Sequence, residues 1–260
     1  MPESNGTDGF HMVQLRLDAR RLAGLGQRLG LFKQHRQVST NYLAHCALGE
    51  LFQDQAPKPF CVQDAPRQMG EKAGRGVRVL GYTSAEDKVL QELAKAFAPP
   101  ALYKGCNWDD LATKPMPQVF PEGMGLRFEL RACPVVRKSS GGPKWNAGQE
   151  LDAFLSHVWE LDDPDVEVSR EDVYHDWLSR QLDLRGGAEA NGIGMERFSI
   201  ERMTRRSHGD DRTVHTIQRP DVTLTGTMTV TDGPAFANLL KSGIGRHKSF
   251  GYGMLKVRRA

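Results

Sequence analysis

The stretch GIGRHKSFGYGML, residues 243–255, carries four glycines between a predicted helix and a predicted strand. Glycine adopts positive φ values easily and lets the backbone come close to a ligand. The middle of the stretch holds Arg246, His247 and Lys248, so backbone amides and cations can meet a phosphate together. The pattern indicates either a phosphate-binding loop or a turn whose glycines serve only the geometry of the chain.

A nucleoside-triphosphate site is disfavoured by the order of residues in this stretch. The phosphate-binding motif of such sites requires a GxxxxGK[ST] order and lies between a strand and a following helix. Here His247 precedes Lys248, and the glycine-rich stretch follows a helix. The remaining alternatives are a loop that contacts a nucleic acid and a turn with no ligand.

The elements around the stretch predict the fold of the second half. Asp232 is a helix cap before Pro234 to Lys241, and Tyr252 to Val257 has the pattern of a closing strand. Further upstream, apolar periodicity predicts strands at Gly125–Val136, Met195–Met203 and Thr213–Thr231, and helices at Gln149–Trp159 and Ser169–Leu182. The resulting order of strand, helix, strand, strand, helix and strand is ferredoxin-like.

The first half has a similar order. Met12 to Leu17 alternates as a half-buried strand, and Gly76 to Thr83 does the same. The other predicted segments are a helical arm or loop at Asp18–Gln37, a helix from Ser39 or Thr40 to Gln53, a loop at Gln53–Gly76 and a helix at Ala85–Phe97. We therefore predict an α+β fold of two tandem ferredoxin-like (βαββαβ) domains, residues 12–120 and 121–260, with an extra helical insertion at about Lys144 to Val168 in the second.

Charge and cysteine usage narrow the class of function. The net charge is only +3, but residues 196–260 hold 12 Lys+Arg against 6 Asp+Glu, which suits a polyanionic partner. A basic but merely solvated surface would give the same count. The four cysteines lack zinc-ligand spacing, so we expect free thiols in a reducing cytoplasm. No apolar run approaches the roughly 20 residues of a membrane span, and no signal peptide is evident.

Three blocks of sequence carry a family resemblance. The first comprises Asp232-Gly233-Pro234, Gly243-Ile244-Gly245, Lys248-Ser249 and Gly251-Tyr252-Gly253-Met254-Leu255. The second is Leu126-Arg127-Phe128-Glu129-Leu130-Arg131-Ala132-Cys133-Pro134, and the third is Trp177-Leu178-x-Arg180. Together they resemble the CRISPR repeat-processing endoribonucleases of the CasE type, in the RAMP superfamily. The resemblance is good from about Gly125 onward and patchier before it.

The resemblance implies a metal-independent endoribonuclease without a cofactor. In such enzymes the 2′-hydroxyl of the RNA attacks the neighbouring phosphate, and a histidine acts as general acid or base. Tyr42-Leu43-Ala44-His45 matches the Tyr-x-x-His pair of the family's first helix. The i,i+3 spacing puts Tyr42 and His45 on one helical face, and we expect that face to open onto a cleft. The alternative is a half-buried helix histidine beside a packing tyrosine.

The chain departs from the family in two places. The link after the first strand is long and carries basic residues, of which Arg21, Lys33, His35 and Arg36 are candidates for catalysis by charge stabilisation or for simple phosphate binding. The helical insertion also enlarges the second domain. These departures suggest a divergent relative of type I-E enzymes, such as the crRNA endoribonuclease of a type IV CRISPR system.

The resemblance also predicts the RNA-binding residues and partners. A basic hairpin is expected to enter the groove of the repeat hairpin, although an exposed sheet edge also carries charge to prevent aggregation. The predicted RNA-binding residues are Gly243, Gly245, Arg246, His247, Lys248, Ser249, Gly251, Arg197, Arg202, Arg205, Arg206 and Arg212. The expected partners are CRISPR repeat RNA and other subunits of a CRISPR ribonucleoprotein complex. The alternative function is a catalytically inactive RNA-binding subunit of such a complex.

Overall fold

A computed structural model describes residues 9–32, 38–63, 68–69, 76–161, 163, 165–206 and 214–260. The strands are β1 (His11–Leu17), β2 (Val38–Ser39), β3 (Phe60–Gln63), β4 (Gln68–Met69), β5 (Val77–Thr83), β6 (Cys106–Pro115), β7 (Gly125–Ala132), β8 (Val135–Arg137), β9 (Glu150–Asp152), β10 (Ala188–Arg206), β11 (Val214–Val230) and β12 (Leu255–Arg259). The helices are α1 (Ala19–Arg28), α2 (Thr40–Phe52), α3 (Asp87–Phe97), α4 (Pro100–Tyr103), α5 (Ala153–Glu160), α6 (Arg170–Asp183) and α7 (Gly233–Ser242).

The first sheet has the order β3-β5-β1-β6, with antiparallel pairing throughout. The alternating sequence of β1 predicts one buried and one exposed face. The structure agrees, since Val13, Leu15 and Leu17 are buried whereas Gln14 and Arg16 are exposed. Helices α1, α2 and α3 contribute to the core that covers the buried face. Residues 11–115 therefore build one four-stranded layer with helices on one side.

The second sheet repeats this arrangement with the order β10-β11-β7-β12, again antiparallel. In both sheets the strands of the unit lie in the order second, third, first and fourth. The prediction of two tandem ferredoxin-like domains is confirmed, and α5 lies in the predicted insertion. The domain boundary near residue 120 stays a prediction, since the two sheets leave residues 116–124 between them.

Some predicted boundaries are wrong, and the differences have local causes. For Asp18–Gln37 the sequence predicts either a helical arm or a loop, and the structure has the helix α1 in this segment. Asp18 caps this helix, because its side chain accepts a hydrogen bond from the backbone N–H of Arg21 at 2.8 Å. The predicted loop at Gln53–Gly76 contains β3, a short edge strand paired with β5. The unpredicted strand β6 is the other edge of the first sheet, and its polar sequence lacks alternation.

The two units are joined by a shared apolar core. Phe10, Cys61 and Tyr82 of the first unit belong to the same buried cluster as Leu255 of the second. The Tyr82 hydroxyl also donates a buried hydrogen bond to the Leu255 carbonyl at 3.0 Å. Across the described residues, no helix is both long enough and apolar enough to span a membrane.

The β10–β11 hairpin extends well beyond its sheet. Strand β7 pairs with β11 only from Val222 to Thr229, although the hairpin pairing continues to Arg206 opposite Val214. Strand β10 contacts β2, which leads directly into α2, and also contacts α2 itself. The hairpin of the second unit thus reaches the helix of the first unit that carries Tyr42 and His45.

Candidate functional site

The helix α2 carries the predicted Tyr-His pair on the side that meets the second unit. Its other side is fixed by Leu43, Ala47 and Leu51, all fully buried in the first core. Tyr42 and His45 are one turn apart, and their ring centroids are 6.2 Å apart. His45 is half-buried, whereas Tyr42 is only 7% exposed. The prediction that both side chains open onto a cleft is therefore wrong for Tyr42.

Phe250 packs against the ring of Tyr42. This residue comes from the glycine-rich loop of the second unit, in a 3-10 helix at Lys248–Phe250. Its ring stacks on Tyr42 at a centroid distance of 5.6 Å and an interplanar angle of 11°. The ring centroid of His45 lies 5.8 Å from that of Phe250 on the same side. Two motifs about 200 residues apart in the sequence therefore form one aromatic cluster, Tyr42, His45 and Phe250.

The glycines bring the loop close to the first unit. Gly251 has a φ of 79°, and a Cβ placed there would lie 2.8 Å from Oδ1 of Asn41 in α2. Gly243 has a φ of 70°, and its Cβ would lie 2.8 Å from Cγ of Pro59. The space beside Gly245 is filled by the Trp177 ring. Protein atoms occupy the space that a side chain would need, so these three glycines permit close packing of the loop, and their contact with RNA stays a prediction.

Lys58 brings positive charge to both His45 and Lys248 on this side of the loop. Burial first, and then the charge of Lys58, hold the pKa of His45 below its ordinary value. Lys248 donates from Nζ to the Ser242 carbonyl at 2.8 Å. Its pKa is also lowered, by burial and then by the charges of Arg185 and Lys58. A neutral imidazole at pH 7 therefore lies near cations, as a site for a phosphate would require.

The other side of the loop is neutralised by a carboxylate. Glu150, the first residue of β9, forms ion pairs with Arg246 and, at 3.5 Å, with Arg219, and its Oε2 lies 3.0 Å from Nε2 of His247. Burial alone would raise the pKa of Glu150. Its basic partners, His247 first and Arg246 next, together lower this pKa by more than burial raises it, so the net shift is downward. Burial lowers the pKa of His247 more than Glu150 raises it, so the main partners of Glu150 at neutral pH are the arginines.

The loop cations are therefore not equivalent. That Arg246 and His247 meet a phosphate stays a prediction, and in this structure the Glu150 carboxylate accepts from both side chains. His247 also adopts a left-handed φ of 59°, which bends the loop between Arg246 and the 3-10 helix. Lys248 lies on the α2 side, and Ser249 follows it half-buried. No sequence signal pointed to Glu150, which lies in the predicted insertion.

The remaining predicted residues are spread around this junction. Arg197 and Arg202 are exposed on β10, opposite Thr223 and Gln218. Arg21 is exposed on α1 beside Gly105, and no hydrogen bond or ion pair within the described ranges joins it to the aromatic cluster. The side chains of Arg205 and Arg206 lie outside the described part of the structure, as do residues Lys33, His35, Arg36 and Arg212.

The cysteines and acidic groups do not form a second reactive centre. Burial raises the pKa of Cys61 to about 11 and that of Cys106 to about 12, so both thiols stay protonated at neutral pH. Within the described residues, no group of three or more His, Cys, Asp or Glu side chains is arranged to hold a metal ion. The aromatic cluster and its cations are the site that the geometry favours.

Comparison with known proteins identifies relatives of this fold. A family model described as CRISPR associated protein matches residues 10–259. The solved structure of CRISPR endoribonuclease Cse3 bound to 19 nt RNA is similar, with a TM-score of 0.58, 19% identity, and 96% of this chain and 99% of that chain covered. No curated protein sequence matches the chain.

Two further solved structures share the arrangement. The CRISPR-associated protein Cas6e from Escherichia coli K-12 has a TM-score of 0.53 and 20% identity, over 96% of this chain and 100% of that chain. A chain of a CRISPR RNA-guided surveillance complex has a TM-score of 0.51 and 15% identity, over 96% of this chain and 100% of that chain. At these identities the likeness establishes a common fold over nearly the whole length.

Proposed function

The chain belongs to the CRISPR associated protein family, and from that premise we propose that it is an endoribonuclease that binds and cuts CRISPR repeat RNA. The observation that supports this most is the contact of the Tyr42–His45 helix with Phe250 of the glycine-rich loop, next to Lys248 in the sequence. A histidine of lowered pKa beside unneutralised cations suits chemistry on a phosphodiester.

In the proposed reaction His45 acts as general base. Its lowered pKa keeps the imidazole neutral at pH 7, so it can accept the proton of a ribose 2′-hydroxyl. The 2′-oxygen then attacks the adjacent phosphorus, and the bond from phosphorus to the 5′-oxygen breaks. The products are a 2′,3′-cyclic phosphate and a 5′-hydroxyl whose proton comes from solvent. Lys248 would stabilise the negative charge that develops on the phosphoryl oxygens.

Tyr42 has a different role in this proposal from the one that its spacing predicts. Its ring is buried against Phe250, so it supports the position of the loop that carries Lys248. We assign it as a positioning residue. Its loss would lower cleavage through the placement of the loop, whereas its hydroxyl need not touch the scissile phosphate.

RNA recognition is assigned to the projecting hairpin. Arg197 and Arg202 are exposed on β10, and the end of that strand approaches α2. Long-range attraction between such arginines and an RNA hairpin is independent of sequence and weakens with salt. The predicted contributions of Arg205, Arg206 and Arg212 belong to the same proposal.

The basic arm after β1 stays a second candidate for the catalytic charge. Arg21, Lys33, His35 and Arg36 remain predictions for this role. Alanine variants separate the two uses of these side chains. A phosphate-binding residue weakens affinity in a salt-dependent way, whereas a catalytic residue lowers the cleavage rate at saturating protein.

Assembly with other subunits is also part of the proposal. One similar chain belongs to a surveillance complex described as CRISPR RNA-guided, and another was solved bound to RNA. By analogy we propose that this chain keeps its processed crRNA, joins a ribonucleoprotein complex and works in the cytoplasm. The type I-E and type IV alternatives both agree with this role.

A direct assay distinguishes the enzyme from an inactive RNA-binding subunit. The protein is incubated with the repeat RNA of its own CRISPR array in EDTA, and the products are sized. We expect one cut, with a cyclic phosphate on the 5′ fragment that resists alkaline phosphatase until acid opens it. Binding without cutting would favour the inactive subunit, and cutting that requires a divalent ion would contradict the proposed mechanism.

A further inference from the structure

Two cations from different elements meet at Ser242, the last residue of α7. Arg185, which follows α6, donates from Nη1 to the Ser242 hydroxyl at 3.3 Å. Lys248, from the glycine-rich loop, donates from Nζ to the Ser242 carbonyl at 2.8 Å. A guanidinium group and an ammonium group therefore lie side by side on one residue. The pKa of Lys248 is lowered in part by this arginine, as expected of two close positive charges.

A third cation comes from the first unit. Lys58 precedes Pro59, and Pro59 contacts the loop where Gly243 leaves no room for a side chain. Lys58 is exposed, and its charge lowers the pKa of both Lys248 and His45. Its charge therefore acts on both sides of the Pro59 contact with the loop. We call Lys58, Arg185 and Lys248 the cation triad.

The cation triad is held without a counterion. Across the described residues, none of its three head groups forms an ion pair with a carboxylate, whereas Arg246 and His247 of the same loop both pair with Glu150. Two of the head groups are bound instead at the C-terminal end of α7. That end carries a partial negative charge, which supports cations without neutralising them. Like charges brought together in this way repel, and an anion that binds among them relieves the repulsion.

The chemistry of the cation triad specifies the anion. Arginine presents planar paired donors that match two oxygens of a phosphate, and lysine adds a compact point charge. Arg185 follows α6, and Lys58 precedes the Pro59 that contacts the loop, so an anion held by these two would lie beside the scissile phosphate and not on it. We propose that Lys58 and Arg185, beside the Lys248 that serves the scissile phosphate, bind the neighbouring phosphodiester of the RNA backbone. This inference rests on the proposed function and adds Lys58 and Arg185 to its residues.

The test measures RNA affinity against salt concentration for Lys58→Gln and Arg185→Gln. The probe is the repeat RNA with a 2′-deoxy nucleotide before the mapped cut, or the unmodified RNA if the wild-type protein does not cut. Loss of one phosphate contact is expected to lower affinity about fivefold to tenfold and to reduce the slope of log K against log salt by about 1. Lys95→Gln removes an exposed charge on α3 and serves as the matched control.

Charge-conserving variants separate binding from a structural role. Lys58→Arg and Arg185→Lys should keep most of the salt slope if the head groups contact phosphate. If Arg185 only supports Ser242, Arg185→Gln will lower the melting temperature and leave the slope unchanged, which contradicts the inference. Slopes of Lys58→Gln and Arg185→Gln equal to that of Lys95→Gln would also overturn it. Failure of the wild-type protein to bind repeat RNA would overturn both this inference and the proposed function. Binding without cutting would overturn only the proposed endoribonuclease activity.

Discussion

The two sides of the glycine-rich loop carry similar residues in very different surroundings. On one side, Arg246 and His247 pair with Glu150 of β9. On the other, Lys248 and Phe250 face α2, where His45 lies among cations that no described carboxylate pairs with. The comparison predicts that Lys248 contributes more to RNA binding than Arg246, because the charge of Arg246 is already paired with a carboxylate. Variants on both sides of the loop test that division.

The largest effect is expected from Gly251→Ala. An alanine there must adopt a φ of 79° and place its Cβ 2.8 Å from Asn41. The strain and the clash together should cost about 2 to 4 kcal/mol of unfolding free energy. The measurement is urea unfolding, with repeat-RNA cleavage under native conditions as the second readout. Cleavage should fall with stability because the loop is displaced from α2.

Gly49→Ala is the matched control for this substitution. Gly49 lies in α2 itself, and a Cβ there would meet nothing within 4 Å. Replacing a helical glycine by alanine should stabilise the protein by about 0.5 to 1 kcal/mol. Equal stability of the two variants would show that the loop does not depend on close contact with α2.

The next effect concerns the neutralised side of the loop. Glu150→Gln keeps the shape of the side chain but leaves Arg246 and Arg219 without their carboxylate partner. We expect a loss of about 1 to 3 kcal/mol of unfolding free energy at pH 7. Glu129→Gln, which removes a surface ion pair with Lys256, should cost less than about 1 kcal/mol.

The pH dependence of this effect has a defined sign. The folded-state pKa of Glu150 is below its ordinary value of 4.5, so the native protein favours the ionised form. The stability that it contributes is present above that ordinary value and is lost as the pH falls through the lowered pKa. The difference between wild type and Glu150→Gln should therefore shrink in acid. A constant difference down to pH 3 would mean that the ion pairs do not stabilise the fold.

A smaller effect is expected on RNA affinity, where Lys248 and Arg246, the two cations next to His247, should differ. Lys248→Gln should weaken binding of repeat RNA about tenfold, whereas Arg246→Gln should weaken it about twofold or less. The reason is that Arg246 already pairs with Glu150, but Lys248 donates only to a backbone carbonyl. Filter binding at two salt concentrations measures both. Equal losses would remove the distinction between the two sides.

The smallest effect is expected on the pKa of one side chain, His45. The pKa of His45, followed by NMR of the imidazole protons, should lie below 6.5 in the free protein. Lys58→Gln should raise this pKa, because a positive neighbour disfavours the protonated ring. Lys95→Gln should leave it unchanged. An unshifted pKa in Lys58→Gln would place Lys58 too far from His45 to belong to the same site.

Much of the fold follows from local sequence, and the exceptions are edge strands. Alternation predicts β1, β5 and the core of β7 because one face of each is buried. The strands β3 and β6 escape prediction since both lie at sheet edges, where one side of the strand has no partner and burial imposes less pattern. The sequence FCVQ of β3 is also only four residues long and follows Pro59.

The site is only partly predictable, because it depends on contacts between distant segments. The Tyr42–His45 spacing and the glycine pattern are local, and both motifs lie at the site. The stacking of Phe250 on Tyr42 joins residues about 200 positions apart in the sequence, and the pairing of Glu150 with Arg246 joins residues 96 positions apart. Both contacts arise only when the chain folds. Nothing in a single sequence indicates which of three neighbouring cations will meet a carboxylate.

The most direct test compares the two histidines that flank Phe250. Single-turnover cleavage of repeat RNA is measured at saturating protein for His45→Ala and His247→Ala, with binding measured in parallel. We expect His45→Ala to bind normally and to cleave at least about 100-fold more slowly, and His247→Ala to stay within several-fold of wild type. Undiminished cleavage by His45→Ala, or an equal loss in His247→Ala, would contradict the assignment of catalysis to the α2 side of the loop.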